Sequence, residues 1–569
     1  MSMYIMYQVR RNSGTRSAKS KNHDMVLSPI DNHCFNGYAR TNDRLRQLHF
    51  LGEKEFPMRR QATRNLRLGL CLGAMTLLAW ITPGAAAGQI GPADHDDVTF
   101  TKDIAPILQR SCQHCHQPDS VAPMSLITYE DARPWARAMK MRTGLGPVAG
   151  VMPPWYVERD IGIQEYQFDP SLSDEEVAKI AVWADNGAPR GNPADMPPPK
   201  LVGGAGLWAL GEPDLITQTE ELIIGGDAPD WWGEITPVDV GLNTDRYVAS
   251  VEIREVNDVL DTEDSRETVG GRFVFHHMVW STVALGEDGR PTGGSFWPVH
   301  EVGRNPDVFD PEGAPMLHAN SKVMSDSVHL HSNGKDTRSH LEIGWRFHPE
   351  DYEPKFRWAL RPLGNGVDID IQANKKDQQL HAYYVLPEHT KITTFEPHLH
   401  APGARMCLES IWGINVETLT CAGYDHNWVR GYQYAHGYEP LLPKGTILHI
   451  VGEMDNTIGN KNIPDPRNWQ GSGNRSVANM FIDLGNGVSL TDEQFQAAMK
   501  ERREMHGLTR NDHVIGCPLC PLIPVELDPA AKLELAEEKV ATAKTALEEA
   551  EAEATAAKAE ASGANEQQP

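Results

Sequence analysis

Apolar residues recur with helical spacing between positions 100 and 186. Ser173 and Glu176 have the spacing of a capping box ahead of an apolar run that stops at Gly187, which predicts one helix there. A second helix is predicted from Thr128 to residue 142. Together these elements predict a small all-α domain of about 100 residues.

Beyond a proline-rich segment at 192–199 the pattern changes to short alternating strands, such as 246–253 and 271–275. Gly, Pro, Asn and Asp turns separate these strands. The pattern continues to about Leu484, and its length predicts two all-β sandwich, or jelly-roll, domains. A short helix is predicted near 492–506.

The C-terminal segment 529–569 is rich in Ala, Glu and Lys, and Leu533, Val540 and Leu547 recur in it every seven residues. Alanine occupies the positions between them and buries little surface. The pattern therefore fits both a coiled coil, with self-association through this helix, and an isolated solvated helix.

The chain has 569 residues, too many for one hydrophobic core, and a formal net charge of -25. Binding to nucleic acid requires clustered basic residues facing the phosphates, so the acidic balance argues against a nucleic-acid partner.

Residues 58–87 combine a basic start, an apolar run of about 14 residues and a final Ala-Ala-Ala, which is the pattern of a secretory signal peptide. The apolar run is shorter than the roughly 20 residues that span a bilayer, so cleavage is favoured over anchoring. We therefore expect a periplasmic or secreted protein. Residues 1–57 lack periodicity and are expected to be disordered, or to precede the true start at Met58.

Export to an oxidising compartment permits disulfide bonds among the eight cysteines. Cys407 and Cys421 flank an apolar stretch with the pattern of a strand and turn, and a disulfide between them is predicted. Cys517 and Cys520 form a separate CxxC pair. A structural bridge is favoured for this pair, while a metal pair and a redox pair stay open.

Cys112, Cys115 and His116 form a CxxCH motif. Two thiols at this separation can bond the two vinyl groups of one heme, and the adjacent imidazole can ligate its iron, so a covalent c-type heme is predicted. Met152, in Val-Met-Pro-Pro-Trp, resembles the Met-Pro ligand loop of small cytochromes c and is the favoured sixth ligand. Met124 is the competitor, and a core thioether is the ordinary role of either.

Three close-spaced histidine pairs stand in the β region: His276 and His277, His329 and His331, and His398 and His400. Residues i and i+2 share a face of a strand, so the last pair can chelate one ion. Neighbours on a strand point to opposite faces, so the first pair needs a twisted or ending strand and a third imidazole, such as His331. Met480 would suit copper better than zinc, because a thioether is a poor zinc ligand.

Five short motifs resemble the copper type II ascorbate-dependent monooxygenases, the group of peptidylglycine hydroxylating monooxygenase and dopamine β-monooxygenase. More closely, the chain resembles their bacterial relatives with an N-terminal cytochrome c domain. The motifs are Phe-His-His-Met at 275–278, Ser-Val-His-Leu-His-Ser-Asn-Gly at 327–334, Pro-His-Leu-His at 397–400, Met-Asp-Asn-Thr at 454–457 and Val-Ala-Asn-Met at 477–480.

The resemblance implies two copper ions in two β-sandwich domains that face each other across a cleft. It assigns one copper to His276, His277 and His331, and the catalytic copper to His398, His400 and Met480. It also implies hydroxylation of a substrate carbon with dioxygen and an external reductant, such as ascorbate or a periplasmic donor. Two positions depart from the usual pattern, because His329 is a rival ligand to His331, and Met454 is a rival to Met480.

The heme suggests electron relay from a periplasmic redox partner to the copper of His276, because a fused carrier raises the local donor concentration. No residue of the chain matches those by which the animal enzymes grip their substrates, so only a small organic substrate is expected. A non-catalytic copper and heme electron-transfer or copper-binding protein is the alternative function. A zinc hydrolase with a heme sensor is a further rival.

The predicted protein is thus multidomain, with a small all-α cytochrome c domain, two β-sandwiches and a helical tail. The predicted order is an upstream extension (1–57), a signal peptide (58–87), a cytochrome c-like heme domain (88–195), an N-terminal copper monooxygenase-like β-sandwich (196–385), a C-terminal one (386–500), a CxxC-containing segment (501–528) and an Ala/Glu/Lys-rich helix (529–569).

Overall fold

The computed structural model describes residues 98–522, with gaps at 119–121, 123, 200–207, 260–271, 287, 303, 362, 474–477 and 510–511, together with scattered positions between 533 and 550. The upstream extension and the signal peptide predicted at 1–87 lie outside the described residues. The described chain is mostly β-sheet with few helices, as the pattern of apolar residues predicts. None of the helices within these residues is long and apolar enough to cross a bilayer.

All described strands except one follow the first four helices, and one further helix lies near the C-terminal end. The helices are α1 (Ala105–Ser111), α2 (Tyr129–Ala132), α3 (Ala136–Thr143), α4 (Asp174–Asp185) and α5 (Asp492–Met505), with a π-helical turn at Phe100–Ile104 and 3-10 turns at Arg133–Trp135, Pro193–Asp195 and Cys520–Leu522. Thr128 and Ser173 form capping boxes at α2 and α4, which confirms both predicted helix starts. Pro134 has no N–H to continue α2, so the helix predicted to reach residue 142 is divided by a 3-10 turn.

These helices share a small apolar core. Phe100, Ile104, Leu108, Ile180 and Trp183 are almost fully buried in it. The Phe100 ring packs against Tyr129 at a centroid distance of 5.4 Å, and Trp183 Nε1 donates to the Pro189 carbonyl at 3.0 Å. The Phe100 ring also lies 6.0 Å from the Trp183 ring, and this contact joins the start of the described chain to α4.

Two six-stranded sheets form the first β region. Its strands are β2 (Leu215–Gln218), β3 (Leu222–Ile224), β4 (Trp231–Gly233), β5 (Val238–Asp239), β6 (Arg246–Asn257), β7 (Phe275–Leu285), β8 (Pro291–Phe296), β9 (His300–Glu301), β10 (Asp307–Val308), β11 (Met316–Leu317), β12 (Ser321–Leu330) and β13 (Thr337–Phe347), after β1 (Val157–Gly162) earlier in the chain. One sheet has the order β10-β6-β13-β2, with β11 on β6 and β3 on β13. The other has the order β4-β12-β7-β8, with β5 on β12 and β9 on β7. Val251 and Trp345 of the first sheet share a core with Trp280 and Val328 of the second, so the sheets pack face to face.

A five-stranded sheet and three smaller ones form the second β region. Its strands are β14 (Arg357–Leu360), β15 (Leu363–Gly364), β16 (Lys375–Val385), β17 (His389–Ile392), β18 (Thr394–Phe395), β19 (Pro397–Leu399), β20 (Gly403–Trp412), β21 (Asn415–Gly423), β22 (Tyr432–Gln433), β23 (Leu441–Leu442), β24 (Ile447–Asn456), β25 (Phe481–Asp483) and β26 (Asn486–Leu490). The orders are β1-β21-β20-β24-β16, β14-β26-β17-β23, β15-β25-β19 and β18-β22. Leu408 and Ile450 of the large sheet share a core with Leu399 and Phe481 of a small one.

The strand β1 lies between helices α3 and α4 in the chain but pairs antiparallel with β21. Trp155, Tyr156 and Ile163, beside it, are buried in the core of the second β region. The segment after α3 therefore leaves the helical core and becomes an edge of the large sheet. All described residues belong to one compact unit, Gln89–Pro569.

The C-terminal segment 529–569 is described only at scattered positions. Leu533, Val540 and Leu547 are helical and 60, 54 and 59% exposed. Most residues around them lie outside the described part of the chain, so the predicted coiled coil and the predicted solvated helix both stay predictions.

A disulfide joins Cys407 and Cys421, which face each other across β20 and β21, and this confirms the predicted pair. Cys517 and Cys520 are also bridged, as favoured above. The first bridge closes a sequence separation of 14 residues and the second a separation of 3.

Because a bridge restricts the unfolded chain more when it closes a longer loop, the double variant C407A/C421A should lose about 3 kcal/mol of stability. Urea unfolding under oxidising conditions measures this loss. The matched variant C517A/C520A should lose clearly less, and equal losses in the two variants would contradict the loop-length explanation.

Candidate metal centre

Three histidines of the first β region converge at one point. Ligand nitrogens of His276, His277 and His329 all lie within 4.8 Å of one another. The ring centroids are 5.7 Å apart for His276 and His277, 5.0 Å for His276 and His329, and 5.4 Å for His277 and His329. The three imidazoles are therefore close enough to share one metal ion.

A break in strand pairing brings two adjacent histidines to this point. On β7 and β12, His277 lies opposite His329, whereas the next residue of β12, Leu330, lies opposite Phe275. His276 is thus the extra residue of a β-bulge, and a bulge turns one side chain away from the strict alternation of a strand. The bulge lies at the beginning of β7, and adjacent histidines such as His276 and His277 need such a break in the strand to face one metal ion.

His331 lies beside this cluster. Its ring centroid is 5.5 Å from that of His276 and 6.3 Å from that of His329. It is not one of the three histidines whose nitrogens lie within 4.8 Å of one another. The structure thus brings the predicted ligands His276 and His277 together, with His329 closer than the predicted third ligand, His331.

His329 has the surroundings of a metal-ligating histidine. Its Nε2 lies 3.3 Å from Oδ2 of Asp230, and its ring stacks on Trp232 at a centroid distance of 4.2 Å. A carboxylate only accepts, so the proton of the imidazole belongs on Nε2. The buried Nδ1 has no hydrogen-bond partner within the described part of the chain. A ring held by a carboxylate on one nitrogen, with the other nitrogen open, fits a metal ligand.

The second cluster contains His398 and His400, whose ring centroids are 5.4 Å apart. Nδ1 of His400 lies 3.2 Å from the carbonyl oxygen of Ala478, and Nδ1 of His398 lies 2.6 Å from Oε1 of Glu301. Each ring therefore faces a protein oxygen through Nδ1, by a hydrogen bond in His400 and by an ion-pair contact in His398, and Nε2 is the nitrogen left for a metal. Burial and the neighbouring His398 lower the pKa of His400 to about 3.

Glu301 joins the two clusters. It stands in β9 opposite His277 of β7, and it contacts His398 of the second β region. Burial opposes its ionisation, but His398 and Arg304 outweigh burial and hold the pKa of Glu301 below its usual value. Burial likewise lowers the pKa of His398, but the Glu301 carboxylate outweighs burial and raises it.

A buried ion network lies next to Glu301. Arg304 is bidentate to Asp307, with Nε–Oδ2 and Nη2–Oδ1 distances of 2.9 and 2.7 Å. It also binds both oxygens of Glu396 through Nη1 and Nη2. Glu396 is fully buried and stands two residues before His398. The network therefore ties the first β region to the strand that carries the second cluster.

The two candidate thioether ligands lie in different surroundings. Met454 is fully buried in the core of the second β region, as a side chain of the large sheet. Met480 is half-buried and follows Ala478, the residue whose carbonyl contacts His400, by two positions.

The loop after β21 brings a further histidine to the clusters. The ring centroid of His426 is 5.6 Å from that of His276 and 6.2 Å from that of His400. Sequence reasoning missed this residue, because a single histidine in a loop has no paired spacing to distinguish it. The order of the chain alone does not bring it to β7, which is about 150 residues away.

The CxxCH motif forms a tight turn at the end of α1. The backbone N–H groups of Cys115 and His116 both donate to the Cys112 carbonyl, at 3.1 and 2.9 Å. Nδ1 of His116 lies 3.2 Å from the Met124 carbonyl oxygen, so the proton belongs on Nδ1 and Nε2 is open. Both thiols are free and half-buried. Thioether formation and axial ligation fit these residues.

The loop that carries His426 also reaches the heme motif. Oδ2 of Asp425 accepts from the Gly150 N–H at 3.1 Å. At the other end of the loop, Arg430 is near enough to the motif that burial and its charge lower the pKa of His114 to about 4. The Arg430 guanidinium also lies 6.0 Å from the Trp155 ring centroid. This loop, residues 425–430, thus extends from the heme motif to the histidine clusters.

The two methionines that are candidates for the sixth heme ligand differ in solvent exposure. Met152 is 39% exposed, whereas Met124 packs partly buried against the helical core.

No protein-family model and no curated protein matches this chain. Among solved structures, the chain has a likeness to the cowpea mosaic virus top component, a naturally occurring empty particle, with 9% sequence identity and a TM-score of 0.21. The likeness covers 51% of this chain and 94% of that one. At this TM-score it carries no argument.

Proposed function

We propose that this protein is a copper-dependent monooxygenase that hydroxylates a C–H bond of a small organic substrate with dioxygen, and that a fused c-type heme supplies its electrons. One observation carries the proposal. Two histidine clusters adjoin each other, and in each of them one nitrogen of an imidazole faces a protein oxygen, of Asp230, Glu301 or Ala478, which leaves the second nitrogen of that ring for a metal.

The first copper would be held by His276 and His277 with His329 or His331, and the catalytic copper by His398, His400 and Met480. Copper bound at these positions would supply one-electron transfer and the binding of dioxygen. The chain itself orients the ligands, since Glu301, Asp230 and the Ala478 carbonyl fix three of the rings. Burial of Met454 in the core supports Met480 as the thioether.

The heme would be bonded to Cys112 and Cys115 in a small all-α cytochrome c domain, with His116 as one axial ligand. Met152 is the favoured second protein ligand of the iron, and Met124 is the competitor.

The loop at 425–430 supports electron relay between the heme and the copper ions. A heme in the same chain is present at a high local concentration near the copper ions. The copper ions would therefore not depend on the diffusion of a separate electron donor. The expected setting is the periplasm or the exterior, where a redox partner or a small reductant such as ascorbate would reduce the heme.

Metal and heme analysis of the full-length exported protein, followed by a substrate screen with ascorbate, tests the proposal. We expect two copper ions and one heme per chain, and oxygen uptake equal to the amount of hydroxylated product. Copper binding with no oxygen uptake under any reductant would instead indicate an electron-transfer or copper-binding protein. Zinc in place of copper would exclude the monooxygenase.

A further inference from the structure

We propose that His426 is an additional metal ligand, placed where the two histidine clusters meet. The identity of the metal rests on the proposed function, but the position of the ligand rests on the geometry of the described residues. Neither the paired motifs nor the resemblance assigns this histidine a role.

The ring separations fit shared coordination. A metal ion about 2.0–2.1 Å from each imidazole nitrogen places the centroids of two of its rings about 5 to 6 Å apart. His276 and His329, which belong to the compact cluster, are separated by 5.0 Å, and His398 and His400 by 5.4 Å. His426 lies 5.6 Å from His276 and 6.2 Å from His400. The distance from His426 to the first cluster therefore lies within the range expected for two ligands of one metal, and the distance to the second cluster lies at the upper limit of that range.

The surroundings of His426 distinguish it from a histidine that serves the fold. Its ring lies beside a histidine of each β region, His276 and His400. An imidazole placed between candidate ligand histidines offers a ring nitrogen that a metal ion can bind.

The loop holds His426 in this position. The Asp425 carboxylate accepts from the N–H groups of Gly150 and Asn427, at 3.1 and 3.0 Å. The Trp428 N–H donates to the Asp425 carbonyl at 3.1 Å. The backbone on both sides of His426 is thus fixed, so little conformational entropy is lost when its ring binds a metal.

Copper binding by the full-length, heme-containing protein tests the inference through the variants H426A and H426Q. His436 offers a matched control, because it lies ten residues further along the same region, is 70% exposed in its side chain and pairs with Glu439 at 3.7 Å. Affinity is measured by competition of copper(II) with a chelator, and ligation by the nitrogen hyperfine structure of the copper(II) EPR spectrum. Urea unfolding of the metal-free forms shows whether each variant keeps its fold.

We expect both His426 variants to bind one copper at least about tenfold more weakly than the wild type, with a changed EPR spectrum, while H436A matches the wild type. Added imidazole should partly restore the H426A spectrum. Wild-type affinity and an unchanged spectrum in both His426 variants would overturn the inference, even if the protein hydroxylates its substrate. Weakened binding in a protein without oxygen-dependent activity would uphold the inference and contradict the proposed monooxygenase.

Discussion

Replacing His398 with alanine is expected to lower the rate of substrate hydroxylation by roughly 1,000-fold or more, the range found when one member of a catalytic unit is deleted. His398 is 8% exposed and holds one of the two imidazoles of the second cluster. Without it, His400 and Met480 would be left as ligands, which is too few to hold copper tightly. Copper content should fall by one ion per chain.

The same substitution leaves Glu301 as a buried carboxylate without its partner at 2.6 Å. Loss of one partner of a buried pair costs about 3 to 5 kcal/mol, so part of the lost activity could come from unfolding. The double variant H398A/E301Q removes the charge together with the ring. It should recover stability but not activity, and recovered activity would show that His398 serves the fold alone.

His381 provides the control for this experiment. It lies on β16 with an exposed ring, and its Nδ1 is 2.9 Å from Nε2 of His449. It belongs to neither cluster, so H381A should hydroxylate substrate at the wild-type rate. Activity is measured as product formed per heme under saturating dioxygen and ascorbate.

Replacing Arg304 with methionine is expected to destabilise the protein by about 3 to 5 kcal/mol. Arg304 is 6% exposed in its side chain and binds two carboxylates, of which Glu396 is completely buried. Methionine keeps much of the side-chain volume but leaves Glu396 and Asp307 as neighbouring buried charges. The midpoint and slope of urea unfolding measure the loss.

The exposed pair of Arg467 and Asp465 offers a matched control, since 80% of the Arg467 side chain is in solvent. R467M should change stability by no more than about 1 kcal/mol, because exposed ion pairs contribute little. The double variant R304M/E396Q should be less destabilised than the sum of its two single variants. Strict additivity would contradict a direct interaction between Arg304 and Glu396.

The Arg304 network also bears on the metal centre. Arg304 follows Glu301 by three residues and grips Glu396 two residues before His398. Two neighbouring pairs, Arg304 with Glu396 and Glu301 with His398, therefore tie β9 to β19. Weakening the first pair should loosen the second cluster against the first, so a folded R304M protein should also bind copper less tightly.

Local patterns were sufficient for several features of this protein. The capping box of Ser173 with Glu176 marked one helix start and Thr128 marked another, because a cap depends on residues only three positions apart. The proximity of His398 to His400 agrees with the period of an extended chain, and β19 ends at Leu399, one residue before His400. The disulfide of Cys407 with Cys421 joins strands that are adjacent in sequence. The strand predicted at 271–275 overlaps β7 only at Phe275, because the strand begins where its pairing with β12 begins and extends to Leu285.

What the sequence determined alone is the set of residue types and spacings that could hold a heme and metal ions. Only the tertiary structure decided that a bulge turns His276 beside His277, and that His329 lies closer to them than His331. It also decided the contacts of Glu301 with His398 and of His426 with both clusters. The physical reason is sequence distance, since these contacts join residues about 25 to 150 positions apart, and a single residue has no period by which to recognise it.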